Sequence, residues 1–235
     1  MKEKILGIIG GMGPEATAQL YMKIIKATKV KKDQEHFRIV IDSNPKIPDR
    51  TKAILGLGES PVPYIIETAN NIKKMGADIA CIPCITSHYF YDEIVAGTDL
   101  KIIHALEELN LYIHREFPGI QRIGVLATTG TRNTRIFDEY LKDVSIIYPD
   151  DQVQEECVME AIYGEGTGIK SGITDGKPVE RLKEAGEHVI GKGAEVVILG
   201  CTEIGLVLSG DSLSRPSIDP MNVMALVMIE KGREV

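Results

Sequence analysis

Ile5-Leu6-Gly7-Ile8-Ile9-Gly10-Gly11-Met12-Gly13 and Ile123-Gly124-Val125-Leu126-Ala127-Thr128-Thr129-Gly130 are two versions of one pattern, an apolar run giving way to small, turn-forming residues. Gly7 matches Gly124, and Gly13 matches Gly130, at a common step of 117 residues. Carried forward without a gap, that step sets Gly76-Ala77-Asp78-Ile79 on Gly193-Ala194-Glu195-Val196, and Cys84 on Cys201. A step that holds over this length reads as an internal duplication in which each copy is one structural unit. Beyond each cysteine a looser echo joins Lys101-Ile102-Ile103-His104 to residues 215–219, with the step slipping to 115 as loops permit.

Each copy alternates short β-branched runs with longer amphipathic stretches, the pattern of parallel strands joined by crossover helices. Strands are expected at 5–9, 37–41, 78–82, 122–126, 145–148 and 195–199, and helices at 14–29, 61–75, 103–117, 132–141, 151–163 and 178–192. Pro14, Pro61 and Pro178 suit first helical turns, where a missing N–H costs least. The fold class is therefore α/β: two pseudo-symmetric domains with parallel sheets, one formed by 1–103 plus 212–235 and the other by 104–211. Ligands of such sheets sit beyond the carboxyl ends of the strands, where both Cys84 and Cys201 fall. The expectation is a shared cleft between the domains with one thiol on each wall.

The 27 basic and 34 acidic residues leave a net charge of -7, and no basic run is present. That balance argues against an electrostatic nucleic-acid partner. No stretch approaches the roughly 20 apolar residues that cross a bilayer. The apolar run after Met1-Lys2-Glu3-Lys4 is too short for an export signal. Four cysteines in a chain of 235 residues do not make a disulfide scaffold, so the expected compartment is the reducing cytoplasm, with thiols free for chemistry.

Reversing a stereocentre means removing a proton from one face of a carbon and returning one to the other. Two groups on opposite sides accomplish this when one is a base and the other an acid. A thiol, with an ordinary pKa of about 8.5, serves in either form near neutral pH once its surroundings lower that value.

Several motifs carry a family likeness: Gly10-Gly11-Met12-Gly13-Pro14-Glu15-Ala16-Thr17-Ala18, Asn44-Pro45-Lys46-Ile47-Pro48-Asp49-Arg50-Thr51, Pro83-Cys84 with Thr86-Ser87-His88, Ala127-Thr128-Thr129-Gly130-Thr131, Gly200-Cys201-Thr202-Glu203 and Ile218-Asp219-Pro220-Met221. In this order over nearly the whole chain, they resemble the aspartate/glutamate racemase family, in particular its aspartate racemases. The resemblance implies a two-base mechanism without cofactor or metal, with Cys84 and Cys201 as the catalytic pair, and a homodimer. It also implies a small acidic amino acid, aspartate or glutamate, whose side-chain carboxylate meets Arg50 and Lys170. A guanidinium can grip a carboxylate with two parallel bonds, while a lysine adds a point charge. Met12, Asp49, Thr51, Ile85, Thr86, Ser87, Thr128 and Thr202 complete the implied substrate shell, the α-carboxylate resting on the N–H groups and hydroxyls of Thr86, Ser87 and Thr202. His88 and Glu203 are candidates to assist the two bases. Family members commonly carry Asn after the first cysteine, where this chain has Ile85. The departure removes an amide from the amino-acid end of the substrate and points to a broadened or altered substrate range.

Competing readings exist for each motif. Free cysteines are more often buried core residues, which suits Cys81 in a strand run and Cys157 in a helical stretch. Cys81-Ile82-Pro83-Cys84 has redox spacing, and His88 would add a third zinc ligand, but neither reading accounts for Cys201. Gly11-Met12-Gly13-Pro14-Glu15-Ala16 fits a dinucleotide-binding pattern and admits an NAD-dependent dehydrogenase. Asp42, the candidate ribose ligand, lies farther on than the usual spacing of about 20 residues. A binding protein for acidic amino acids that has lost turnover is the non-enzymatic alternative. His36, His104, His114 and His188 show no constellation and read as surface or structural.

Overall fold

A computed structural model describes residues 3–234; Met1, Lys2 and Val235, at the ends of the expected first domain, lie outside the described residues. The chain divides into two compact units, one running to Leu109 and resuming at Met221, the other spanning Asn110–Pro220.

In the first unit β1 (Leu6–Gly10), β2 (Ile39–Ser43), β3 (Ile79–Cys81) and β4 (Lys101–Ile103) form a parallel sheet in the order β2-β1-β3-β4. Helices α1 (Pro14–Ala27), α2 (Arg50–Ile54), α3 (Val62–Lys74), α4 (Tyr91–Ala96) and α5 (Ala105–Glu116) are interleaved with these strands, and α12 (Pro220–Arg233) returns to the unit at the end of the chain. In the second unit β5 (Arg122–Leu126), β6 (Ser145–Ile147), β7 (Val196–Leu199) and β8 (Ser217–Ile218) repeat the arrangement in the order β6-β5-β7-β8. Its helices are α6 (Thr129–Thr134), α7 (Ile136–Tyr140), α8 (Asp151–Val153), α9 (Glu160–Tyr163), α10 (Lys177–Gly191) and α11 (Ile204–Val207). Strands β1, β3 and β7 are buried along their whole length and β5 beyond Arg122, as a parallel sheet covered on both faces requires.

The duplication holds at the level of atomic packing. Leu6 pairs with Ile79 and Gly7 with Ala80; one step of 117 later, Ile123 pairs with Val196 and Gly124 with Val197. A Cβ on Gly7 would stand 2.8 Å from Ile72 Cδ1 and 3.1 Å from Ala77 Cβ, and one on Gly124 would stand 2.6 Å from Val189 Cγ2 and 3.1 Å from Ala194 Cβ. These partners are themselves one step apart. Glycine is needed at both places because a helix crosses the strand too closely for a side chain. The helix ends match as well: Gly76 (φ 98) and Gly193 (φ 103) supply the left-handed residue that closes α3 and α10. Ala77 and Ala194 then each donate 3.1 Å bonds, to the carbonyls of Ile72 and Val189.

The expected strands are present with ends moved by one or two residues, and β4 and β8 join them where the looser echo was noted. Ser217–Ile218 pairs with β7, so residues 212–220 belong with the second sheet, and the division falls at Pro220 rather than at 212. At the other crossing it falls inside α5, after Leu109 instead of 103. Pro61 occupies the N-cap of α3, and the proline inside the first turn is Pro63. The helix expected at 132–141 starts earlier, at Thr129, and breaks at Arg135, whose φ of 56 ends α6 and opens α7. The helix at 151–163 contains a π-helical stretch, Gln154–Met159, that carries the wholly buried Gln154 inward. Its amide donates to the Ala127 carbonyl at 2.9 Å, tying this segment to the end of β5.

Candidate active site

The carboxyl ends of equivalent strands deliver the two cysteines. In the first unit β3 runs into Cys84, which caps the 3-10 turn Ile85–Phe90 and is buried in a core cluster with Ile9, Met12, Ile47 and Ile82. In the second unit β7 runs into the half-buried Cys201, followed by Thr202, Glu203 and α11.

Around Cys84 the polar atoms lock the loop. Its carbonyl accepts the Ser87 N–H at 3.2 Å. His88 bridges two segments: Nε2 accepts the Ala105 N–H at 3.1 Å, which leaves the ring proton on Nδ1 to donate to the Cys84 carbonyl at 3.2 Å. Burial, then the neighbouring His104 ring, pushes His88 down to about 3, so the imidazole stays neutral at physiological pH. His104 stacks edge-on against it at 5.1 Å and accepts the Glu107 N–H at 3.2 Å, at the start of α5. Both nitrogens of His88 are thus committed to backbone, and the expectation that it assists the thiol becomes one of holding the Cys84 carbonyl. Ser87 is committed too, its hydroxyl donating to Met12 Sδ at 3.3 Å. Thr86 beside it is partly exposed, while Ile85 is buried.

Met12 is positioned by the loop after β1. Gly11 adopts φ 94, and a Cβ there would come within 2.3 Å of the Asn44 backbone. The Thr17 hydroxyl then accepts the Gly11 N–H at 2.9 Å and donates to the Gly13 carbonyl at 2.8 Å. Arg50 opens α2, which packs against the Ile85–Phe90 turn. Its guanidinium donates to the Pro48 carbonyl at 2.9 Å and the Ile47 carbonyl at 3.3 Å. Asp49 is the helix cap, accepting the Lys52 N–H at 2.8 Å, a structural duty beside its expected substrate role. Thr51 lies partly exposed on α2.

The second unit gathers Cys201, Thr202, Glu203 and Lys170. Cys201 Sγ and Thr202 Oγ1 both donate to Glu203 Oε2 at 2.9 Å, and Lys170 Nζ donates to Oε1 at 2.5 Å. Burial followed by the Glu203 carboxylate pushes the Cys201 thiol well above its ordinary value. Burial opposes ionisation of Glu203, but Lys170 and the Cys201 and Lys170 hydrogen bonds outweigh it and hold that carboxyl below its usual range. Thr128 is buried and caps α6, its hydroxyl accepting the Thr131 N–H at 3.3 Å. The Lys170–Glu203 ion pair joins two residues whose sequence motifs point to separate roles.

The alternative thiols are core residues. Cys81 is fully buried, and Cys157 lies in the core of the second unit. Burial pushes both thiols up. Among the described residues no group of three His, Cys, Asp or Glu side chains is arranged to hold a metal. No described helix is long and apolar enough to cross a membrane.

A duplicated parallel α/β chain with a cysteine after the third strand of each copy defines the class of protein. Residues 9–227 match the family described as Asp/Glu/hydantoin racemase, and the chain belongs to that family. Membership places it among racemases, which are isomerases, and sets aside the dehydrogenase reading of the glycine loop. The chain is 24% identical over 236 residues to the broad specificity amino-acid racemase RacX of Bacillus subtilis, covering 94% of this chain and 95% of that one. Among solved structures, Picrophilus torridus aspartate racemase superposes with a TM-score of 0.80 at 25% identity, over 97% of this chain and 94% of that one. Glutamate racemase from Francisella tularensis, solved in complex with D-glutamate, shares the fold with a TM-score of 0.68 at 16% identity, over 98% of this chain and 81% of that one.

Proposed function

We propose that the chain interconverts the L and D forms of an acidic amino acid, aspartate foremost, by proton transfer between the α-carbon and two cysteines. The observation that carries this reading is the equivalence of Cys84 and Cys201, one step of 117 apart and each just past the carboxyl end of the corresponding strand. In the reaction one sulfur, as thiolate, takes the α-proton from one face, and the other, as thiol, supplies a proton to the opposite face. The chemistry calls for no redox or metal cofactor. Arg50 and Lys170 supply cations for a substrate with a second carboxylate, in a chain whose net charge would otherwise repel it. The test is solvent exchange: incubated in heavy water with L- or D-aspartate, the protein should incorporate deuterium at Cα and form the opposite enantiomer. Binding of aspartate with neither event would favour the amino-acid binding protein instead.

A second reading concerns substrate range. Ile85, buried and apolar, stands where the resemblance leads one to expect Asn, and the relative from Bacillus subtilis is a broad specificity racemase. An amide lost from the amino-acid end of the substrate removes a hydrogen bond that discriminates among substrates. Exchange measured over a panel of amino acids should therefore extend beyond aspartate, and Ile85→Asn should narrow it. Aspartate-only exchange, with Ile85→Asn unchanged, would remove this second reading.

A further inference from the structure

The repeat makes the two cysteines equivalent by position, but their neighbours differ. One step of 117 before Glu203 stands Thr86, and one step before Thr202 stands Ile85, so the carboxylate beside Cys201 is an addition to one copy only. That carboxylate is almost fully buried, a costly place for a charge unless it is compensated. Its compensation is a chain of three donors within the second unit: the Cys201 thiol and Thr202 hydroxyl on Oε2, and the Lys170 ammonium on Oε1. Lys170 keeps 31% of its side chain exposed and lies 5.3 Å from the centre of the Tyr163 ring, so solutes can reach this end of the chain. Asp219, buried after β8, lies against Gly205, two residues beyond Glu203.

We propose that Glu203 is the proton acceptor through which Cys201 becomes a thiolate, and that Lys170 is the positioning residue that sets how readily Glu203 accepts. In the step the Cys201 S–H bond breaks, the proton passes to Glu203 Oε2, and the electron pair stays on sulfur. A thiolate and a neutral carboxylic acid replace a thiol and a carboxylate, with no change in net charge. While Lys170 holds Oε1, the charged carboxylate is favoured and the proton stays on sulfur. A carboxylate from solution that draws the ammonium away removes this stabilisation and moves the proton toward Glu203. On the racemase reading above, on which this part rests, the side-chain carboxylate of the substrate does so. Recognition of a dicarboxylic substrate is then coupled to arming the base, and a substrate without the second carboxylate arms Cys201 less readily.

The test combines two readouts on the full chain. The first is site-resolved alkylation of Cys201 by iodoacetamide across pH. Succinate, a dicarboxylate without the amino group, should raise Cys201 reactivity near neutral pH by about tenfold or more in the unaltered protein and leave it unchanged in Glu203→Gln, which keeps shape but cannot take the proton. The second is α-proton exchange from each aspartate enantiomer. Glu203→Gln should slow exchange from one enantiomer by about a hundredfold or more and leave the other within about threefold, with partial recovery in Glu203→Asp. The double variant Lys170→Met/Glu203→Gln leaves no unpaired charge behind and serves if the single variant does not fold. A reactivity that succinate does not raise in the unaltered protein, or raises equally in Glu203→Gln, overturns the proposal, as does equal slowing of both enantiomers. If the unaltered protein exchanges no amino acid, the racemase reading fails by itself, and the response of Cys201 alkylation to succinate alone decides whether Glu203 governs the Cys201 proton.

Discussion

His88 donates from Nδ1 to the carbonyl of Cys84 at 3.2 Å while its Nε2 accepts the N–H of Ala105, so one neutral ring ties the cysteine loop to the start of α5. The ring is buried and held at about 3, against an ordinary value of 6.5. Because the unfolded chain binds this proton more readily, stability is full above about pH 6.5 and falls as pH drops toward 3, by a few kcal/mol at most. Denaturant unfolding followed across that window should show the decline. In His88→Gln the same decline should be shallower, although the variant starts less stable at neutral pH. A variant curve parallel to that of the unaltered protein would show that another group is responsible.

Gly124→Ala should cost more than Gly7→Ala although the two glycines are equivalent by position. The new methyl at 124 meets Val189 Cγ2, a β-branched side chain with little freedom in a helix, at 2.6 Å. At 7 it meets the mobile end of Ile72 at 2.8 Å. We expect about 1–3 kcal/mol for Gly124→Ala, the usual range for overpacking, and less for Gly7→Ala. Urea midpoints measured at a common slope decide the order.

On the proposed mechanism, Cys84→Ala and Cys201→Ala should each abolish racemization, yet each should retain deuterium exchange from a different enantiomer. The remaining thiol can still remove and return a proton on its own face. Mass spectrometric exchange of L- and D-aspartate in heavy water distinguishes this from a single-base enzyme, in which one substitution would be silent.

Lys170→Met should raise KM for aspartate by about 10- to 100-fold, the range for losing one hydrogen bond to a charged group. KM for a monocarboxylic amino acid such as alanine should change little. Steady-state rates with both substrates check this, and an equal rise for the two would place Lys170 away from the side-chain carboxylate.

Several features were legible because they repeat locally. Alternating apolar runs, glycines at fixed steps and prolines at helix starts placed six of the eight described strands within one or two residues, and Cys84 and Cys201 after two of them. α12 escaped notice because it is buried nearly all round, only Asn222, Leu226 and Glu230 facing outward in its first three turns, and so lacks a broad polar stripe. The break at Arg135 and the π-helical stretch at Gln154 were hidden for another reason. Neither Gly nor Pro marks them, and the buried bond from Gln154 to the Ala127 carbonyl joins residues far apart in the chain.

By itself the sequence determined that the chain is a duplicated α/β protein with a cysteine at the same place in each copy, since hydrophobic period and repeat step are properties of neighbouring residues. Only the tertiary structure decided what stands beside each cysteine. Lys170 reaches Glu203 across 33 residues, and His88 meets Ala105 rather than a sulfur. Which donor finds which acceptor depends on how loops close in space, and the energy of a buried polar group depends on that partner, which local pattern does not reveal. Two positions equal in the sequence are therefore unequal in chemistry, one cysteine held through its backbone by a neutral ring and the other through its thiol by a carboxylate.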